Sequence, residues 1–112
     1  MTYLCYPSSV TGKHLLRKTV DEEAPIRCAA GRGLLREEVW ENAKGEVVRY
    51  NLAFIQHVLC VKDNGRVLGY DNAHGKHHRH QCGFVSDFVF AGYEALVLQF
   101  AEQVEVLRRK KR

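Results

Sequence analysis

Between residues 70 and 83 the chain reads YDNAHGKHHRHQCG, and this stretch holds four of its six histidines, His74, His77, His78 and His80, with Lys76 and Arg79 among them. Imidazole titrates near neutral pH and is a common metal ligand. Such a cluster therefore has two chemical uses, ligating a metal or moving protons at a phosphodiester. Its bland use is to keep a surface ribbon hydrated.

The proton-transfer use makes the most specific demands. Cleaving RNA with its own 2′-OH needs a base for that hydroxyl, an acid for the leaving 5′-oxygen, and positive charge beside the phosphate. In an extended segment alternate side chains share a face. Lys76, His78, His80 and Cys82 then fall on one side, and His77, Arg79 and Gln81 on the other. His78 and His80 are the expected catalytic pair, with acid and base not assigned between them. Asp71 is expected to orient an imidazole or to hold the loop. Lys76, Arg79, His77 and Tyr70 are candidate nucleic-acid contacts. The metal alternative draws on His74, His78, His80 and Cys82, with Asp71 in reach, and zinc suits such donors. It lacks a second ligand cluster, because His14 and His57 stand apart and no C-x-x-C pair occurs. The expectation is no cofactor, with zinc as the alternative. The bland reading of Asp71-Asn72 is a turn in which Asx side chains bond their own backbone.

The elements that must position these residues are legible in part. LLREEVWE reads as a strand, with Leu35 and Val39 on one face and Leu34 and Trp40 on the other. A turn follows at Ala43-Lys44-Gly45, and VVRYNLAFI continues the β-rich run with Val48, Tyr50, Leu52 and Phe54 on one side. VLCVK and RVLGY flank Asp63-Asn64-Gly65 and suggest a tight hairpin, since Asn-Gly supplies positive φ. The histidine stretch and GFVSDFVF follow as extended chain up to Gly92. The period then changes: Tyr93, Val97, Phe100, Val104 and Leu107 mark one stripe of a helix, with Glu94, Glu102, Glu105 and Arg109 on its wetter side. Residues 1–33 are weakly defined. They read as a strand and turn or a short helix ending near Pro25, then a flexible connection at Ala29–Gly33. The expected fold is a single α+β domain over 1–112, an antiparallel sheet of about four to six strands with a C-terminal helix packed on one face.

Composition sets further bounds. The net charge is +4, from 17 Lys and Arg against 13 Asp and Glu. Without the terminal RRKKR, residues 108–112, the body holds 12 basic residues against 13 acidic. That run reads as a frayed basic tail, and a polyanionic partner is permitted but not required. No signal peptide or membrane-length apolar run is visible. The four cysteines, Cys5, Cys28, Cys60 and Cys82, suggest a cytoplasmic chain with reduced thiols, Cys60 being a small core residue.

The strand RYNLAFI, followed by YDNA and the clustered histidines, resembles the small toxin-type proteins of the TumE-like group over roughly residues 46–83. The matching positions are Tyr70, Asp71, Asn72, Ala73, His77, His78 and His80. The chain departs from the commoner DNAPHH form at His74-Gly75, and Gly75 and Lys76 are additional. The resemblance implies a prokaryotic toxin–antitoxin module: a small α+β toxin that acts on RNA, encoded beside a helix-turn-helix antitoxin. The leading expectation is an RNA-binding, metal-independent ribonuclease with RNA and that antitoxin as partners, no membrane association, and compatibility with a homodimer. The alternatives are a non-catalytic nucleic-acid-binding protein and a small metal-binding domain.

Overall fold

A computed structural model describes residues 15–111. Six strands, β1 (Arg17–Cys28), β2 (Gly31–Glu41), β3 (Val47–Ile55), β4 (Arg66–Asp71), β5 (His78–Gln81) and β6 (Phe84–Asp87), precede one helix, α1 (Tyr93–Leu107). The strands lie in the sheet in chain order, each antiparallel to the next. The described residues form an open α+β meander with one α-helix, as the alternation and the final change of period predict.

The core forms where α1 crosses the sheet. Tyr50, Leu52 and Phe54 of β3 and Leu68 and Tyr70 of β4 meet Leu96, Phe100 and Val104 of the helix. Tyr93, Val97 and Leu107 flank them, so the predicted stripe faces the sheet, with Leu96 added to it. Full burial of each large apolar side chain is worth about 1.5–3 kcal/mol, which is why these central strands anchor the sheet. Among the described residues no helix covers the opposite face of the sheet, where polar side chains share the surface with Leu34, Ile55 and Trp40.

The N-terminal third is more regular than its sequence suggests. β1 is a twelve-residue strand paired with β2 along its length, and the chain turns at Ala29-Ala30 without a flexible connection. Its pattern is weak because it is an edge strand: most of its side chains are exposed, so little apolar alternation is required of it. Pro25 is tolerated there because an edge strand need not donate every N–H. Cys5 and His14 lie outside the described residues.

Three further differences concern loops and tail. VLCVK is not a strand. Buried Gln56 accepts the N–H groups of Val58 and Leu59 at 2.7 and 2.8 Å, and its own N–H donates to the Gly65 carbonyl at 2.8 Å. These local bonds compete with a ladder and hold residues 56–65 as a compact loop. The loop closes through a 3-10 turn in which Asp63, Asn64 and Gly65 all have positive φ. Cys60 is buried as expected, but its thiol is not free. It forms a disulfide with Cys82, with Cα atoms 5.6 Å apart, because the β3–β4 loop and the β5–β6 turn meet at the same end of the sheet. The expectation of reduced thiols fails for this pair. Finally, Arg108 is docked rather than frayed. Its Nε donates to the Arg27 carbonyl at 3.0 Å, and its own carbonyl accepts the Ala29 N–H at 2.8 Å.

Candidate acid–base site on the open sheet face

The histidine stretch enters the sheet through a short turn. Asp71 ends β4, Ala73–Gly75 make one 3-10 turn with His74 at positive φ, and β5 begins at His78. Asn72 ties this turn down: its Oδ1 accepts the Tyr50 N–H at 3.0 Å and its Nδ2 donates to the Val48 carbonyl at 2.8 Å. At the far end Cys82 and Gly83, with φ of 44° and 87°, form a two-residue turn into β6. Two positive φ angles in sequence suit the right-handed twist of a hairpin.

Register then decides which side chains meet. Asp71 pairs with His78 and Gly69 with His80 across β4 and β5, while His78 pairs with Asp87 on β6. His78 and His80 project from the helix-free face, their ring centroids 6.3 Å apart and nearly perpendicular. His80 Nε2 lies 2.8 Å from Asp71 Oδ2, and His78 Nε2 lies 3.6 Å from Asp87 Oδ1. Asp71 Oδ1 also accepts the Ala73 N–H at 3.3 Å. One carboxylate thus both starts the turn and fixes an imidazole, the two roles that sequence left as alternatives.

The positive charge comes from a residue the sequence did not single out. Arg66 Nη1 lies 3.9 Å from Asp71 Oδ2, and its Nε donates to Asp63 at 2.8 Å. Gly69 makes this possible. A Cβ on Gly69 would sit 2.7 Å from Arg66 Cδ, so the arginine crosses the strand only because no side chain stands there. Nothing in the local sequence marks Arg66, since its role depends on which strands pair.

The opposite side of the ribbon faces the helix and serves packing. His77 stacks on Phe90 with centroids 4.2 Å apart, and its Nδ1 shares a hydrogen bond of 2.7 Å with the Tyr50 hydroxyl. Tyr70 is fully buried, donates to Gln103 Oε1 at 2.6 Å, and has no face left for a base. Arg79 donates to the Tyr70 hydroxyl at 3.0 Å and to Gln81 at 2.8 Å, on the side away from His78 and His80. Three of the four expected nucleic-acid contacts, His77, Tyr70 and Arg79, therefore belong to the helix-side packing. The fourth, Lys76, is exposed where the turn meets β5. Burial, with Asp71 nearby, pushes the Tyr50 hydroxyl well above the usual tyrosine range. Burial and then the bond to Glu37, 2.6 Å long, do the same for Tyr93. Both stay neutral at any physiological pH and act as fixed structural hydroxyls.

The expected zinc ligands are divided. Cys82 is consumed by the disulfide and offers no thiolate, while His74 is exposed in the turn. Among the described residues no group of three or more His, Cys, Asp or Glu side chains is placed to hold a metal ion.

On the open face the ribbon continues into a polar row one residue wide. Asp21, Glu38, Asn51, Asp71, His78 and Asp87 stand in register across all six strands. Lys18 Nζ lies 2.7 Å from Glu38, and Asn51 Nδ2 donates to the other Glu38 oxygen at 2.9 Å. Those two bonds, the lysine's first, hold the Glu38 carboxyl below its usual range. Beside the row, Trp40 lies within 5.0 Å of the Lys18 ammonium and 4.9 Å of the Arg49 guanidinium. Compared with protein-family models, curated proteins and solved structures, the chain matches none.

Proposed function

We propose that this chain binds RNA on its open sheet face and cleaves it by transesterification, without a metal, through His78 and His80. The observation that carries the reading is the pairing of two imidazoles 6.3 Å apart, one of them bonded to Asp71. A phosphodiester between them would meet a proton acceptor for its 2′-OH and a proton donor for its 5′-oxygen. The ring nitrogens not engaged by Asp71 and Asp87 are the ones available for transfer. Arg66 would stabilise the charge that builds on the phosphoryl oxygens. Asp71 acts through His80 as a positioning residue. The cyclic phosphate product forms as the 2′-oxygen bonds to phosphorus and the 5′-oxygen leaves with its proton.

In this reading the protein is the toxin of a prokaryotic toxin–antitoxin module, works in the cytoplasm where its RNA is, and is silenced by a helix-turn-helix antitoxin. The likeness of YDNA and the following histidines to the TumE-like pattern supports that assignment. Among the described residues no helix is long and apolar enough to cross a membrane. The test is the double variant His78→Ala/His80→Ala. It should lose RNA cleavage by at least about a hundredfold, the scale of general acid–base catalysis, with its melting temperature nearly unchanged. Retention of cleavage by the purified double variant removes the two histidines from the chemistry.

A further inference from the structure

The polar row and its neighbour extend well beyond the two imidazoles, and near their centre the side chains are held by hydrogen bonds and ion pairs. Glu38 is gripped from both sides by Lys18 and Asn51, Asp71 by His80 and Arg66. The adjacent row reads Glu23, Arg36, Ala53, Gly69, His80 and Val85. At its centre Ala53 and Gly69 make a low floor, with Arg66 lying over Gly69 and Arg36 one strand further out, paired with Glu23. From β2 to β5 the row runs roughly 14 Å, three inter-strand steps.

We infer that this pair of rows is a track for single-stranded RNA crossing the strands, in which Arg36 and Arg66 take successive phosphates and Asn51, fixed by Glu38, reads a base beside the cleavage point. The inference rests on the functional reading above and specifies its substrate. Three observations carry it. The polar groups sit low, Glu38, Asp71 and His80 having side chains only 20%, 17% and 14% exposed. A duplex keeps its base edges stacked and its backbone outside, so recessed groups reach only bases splayed from a single strand. Next, Asn51 commits its Nδ2 to Glu38 and leaves its Oδ1 to accept from a base. Its rotamer is set before any ligand arrives, which lowers the ordering cost of recognition. Lastly, the Arg36–Glu23 pair is exposed, with side chains 42% and 45% accessible. Such a pair contributes little to stability, so its guanidinium is free to exchange a carboxylate for a phosphate. The carboxylates along the track also make it a poor surface for polyanions in general, leaving selection to the base contact.

The experiment measures binding of 2′-O-methyl oligonucleotides, which lack the attacking hydroxyl, to the full chain. The probes are a dinucleotide, single-stranded hexanucleotides of each base, and a duplex. The single-stranded hexanucleotide should bind more tightly than the other two. Arg36→Ala should weaken hexanucleotide binding by about tenfold, more than it weakens the dinucleotide, and should reduce the salt slope by about one charge. Asn51→Ala should narrow the differences among the four hexanucleotides, and Asn51→Ser gives the same reading should the alanine variant melt early. Duplex binding equal to single-strand binding, or hexanucleotide binding indifferent to both substitutions, overturns the track even if His78 and His80 still cut RNA. If the wild type binds none of the probes, the track and the parent reading both fall.

Discussion

At the scale of single residues, Asp71 joins two structural tasks in one carboxylate, starting the turn and holding His80. Asp71→Asn keeps the turn acceptor but replaces one carboxylate oxygen with an amide donor. It should lower kcat for RNA cleavage at least about tenfold with KM little changed, because it acts on orientation rather than on substrate binding. Gly69→Ala tests the same site through space. The new methyl collides with Arg66 Cδ, so cleavage should fall as far as in Arg66→Ala, with about 1–3 kcal/mol of stability lost to overpacking in a denaturant titration. Glu38 offers a pH test. Its carboxyl is held below the usual range, chiefly by Lys18, so its stabilisation is complete above the unfolded-state pKa and is lost as pH falls through the folded value. Glu38→Gln should cost about 0.5–1 kcal/mol at neutral pH, the scale of a partly exposed pair, and nothing measurable once the wild-type carboxyl is protonated. At this scale the sequence was informative where chemistry is carried by residue type. His78, His80 and Asp71 could be picked out because imidazoles and carboxylates are conspicuous. Arg66, Gly69 and Asn51 could not, because they matter only through the register of β3, β4 and β5.

At the scale of elements, period and turn chemistry carried most of the information. β2, β3 and the stripe of α1 were legible because each buries one face and must alternate accordingly. β1 stays ambiguous between strand and short helix in the sequence because a mostly exposed edge strand owes little to that rule. The 56–65 loop escaped because Gln56 and a disulfide, neither of them periodic, define it. The Cys60–Cys82 bond closes a loop across a sequence separation of 22 residues, and chain entropy alone assigns such a closure about 3 kcal/mol. Replacing both cysteines with serine should lower stability by about that amount in chemical denaturation. It should also speed amide exchange in β5 and β6 more than in β2 and β3, because the four-residue hairpin strands bury little else. Uniform exchange across the sheet would show that the hairpin does not depend on the clip.

At the scale of the whole molecule, the sheet has one face that packs on the helix and another that no described element covers. The helix side takes Tyr70, His77 and Arg79 out of consideration as ligands, while the bare side collects the polar row. A nearly neutral body, with Lys18, Arg36 and Arg66 already paired to carboxylates, should bind RNA with a shallow salt dependence, one or two effective charges rather than many. A steep slope in a filter-binding series would point instead to the exposed Lys110 and Lys111 as the main contact. The clip between Cys60 and Cys82 has one more consequence. Thiol pools of a reducing compartment would keep those sulfurs apart, whereas exposure to air would join them. Freshly made and aged molecules would then differ by a single covalent link two residues from His80. The history of a preparation, as much as its sequence, would set how firmly the imidazoles are held.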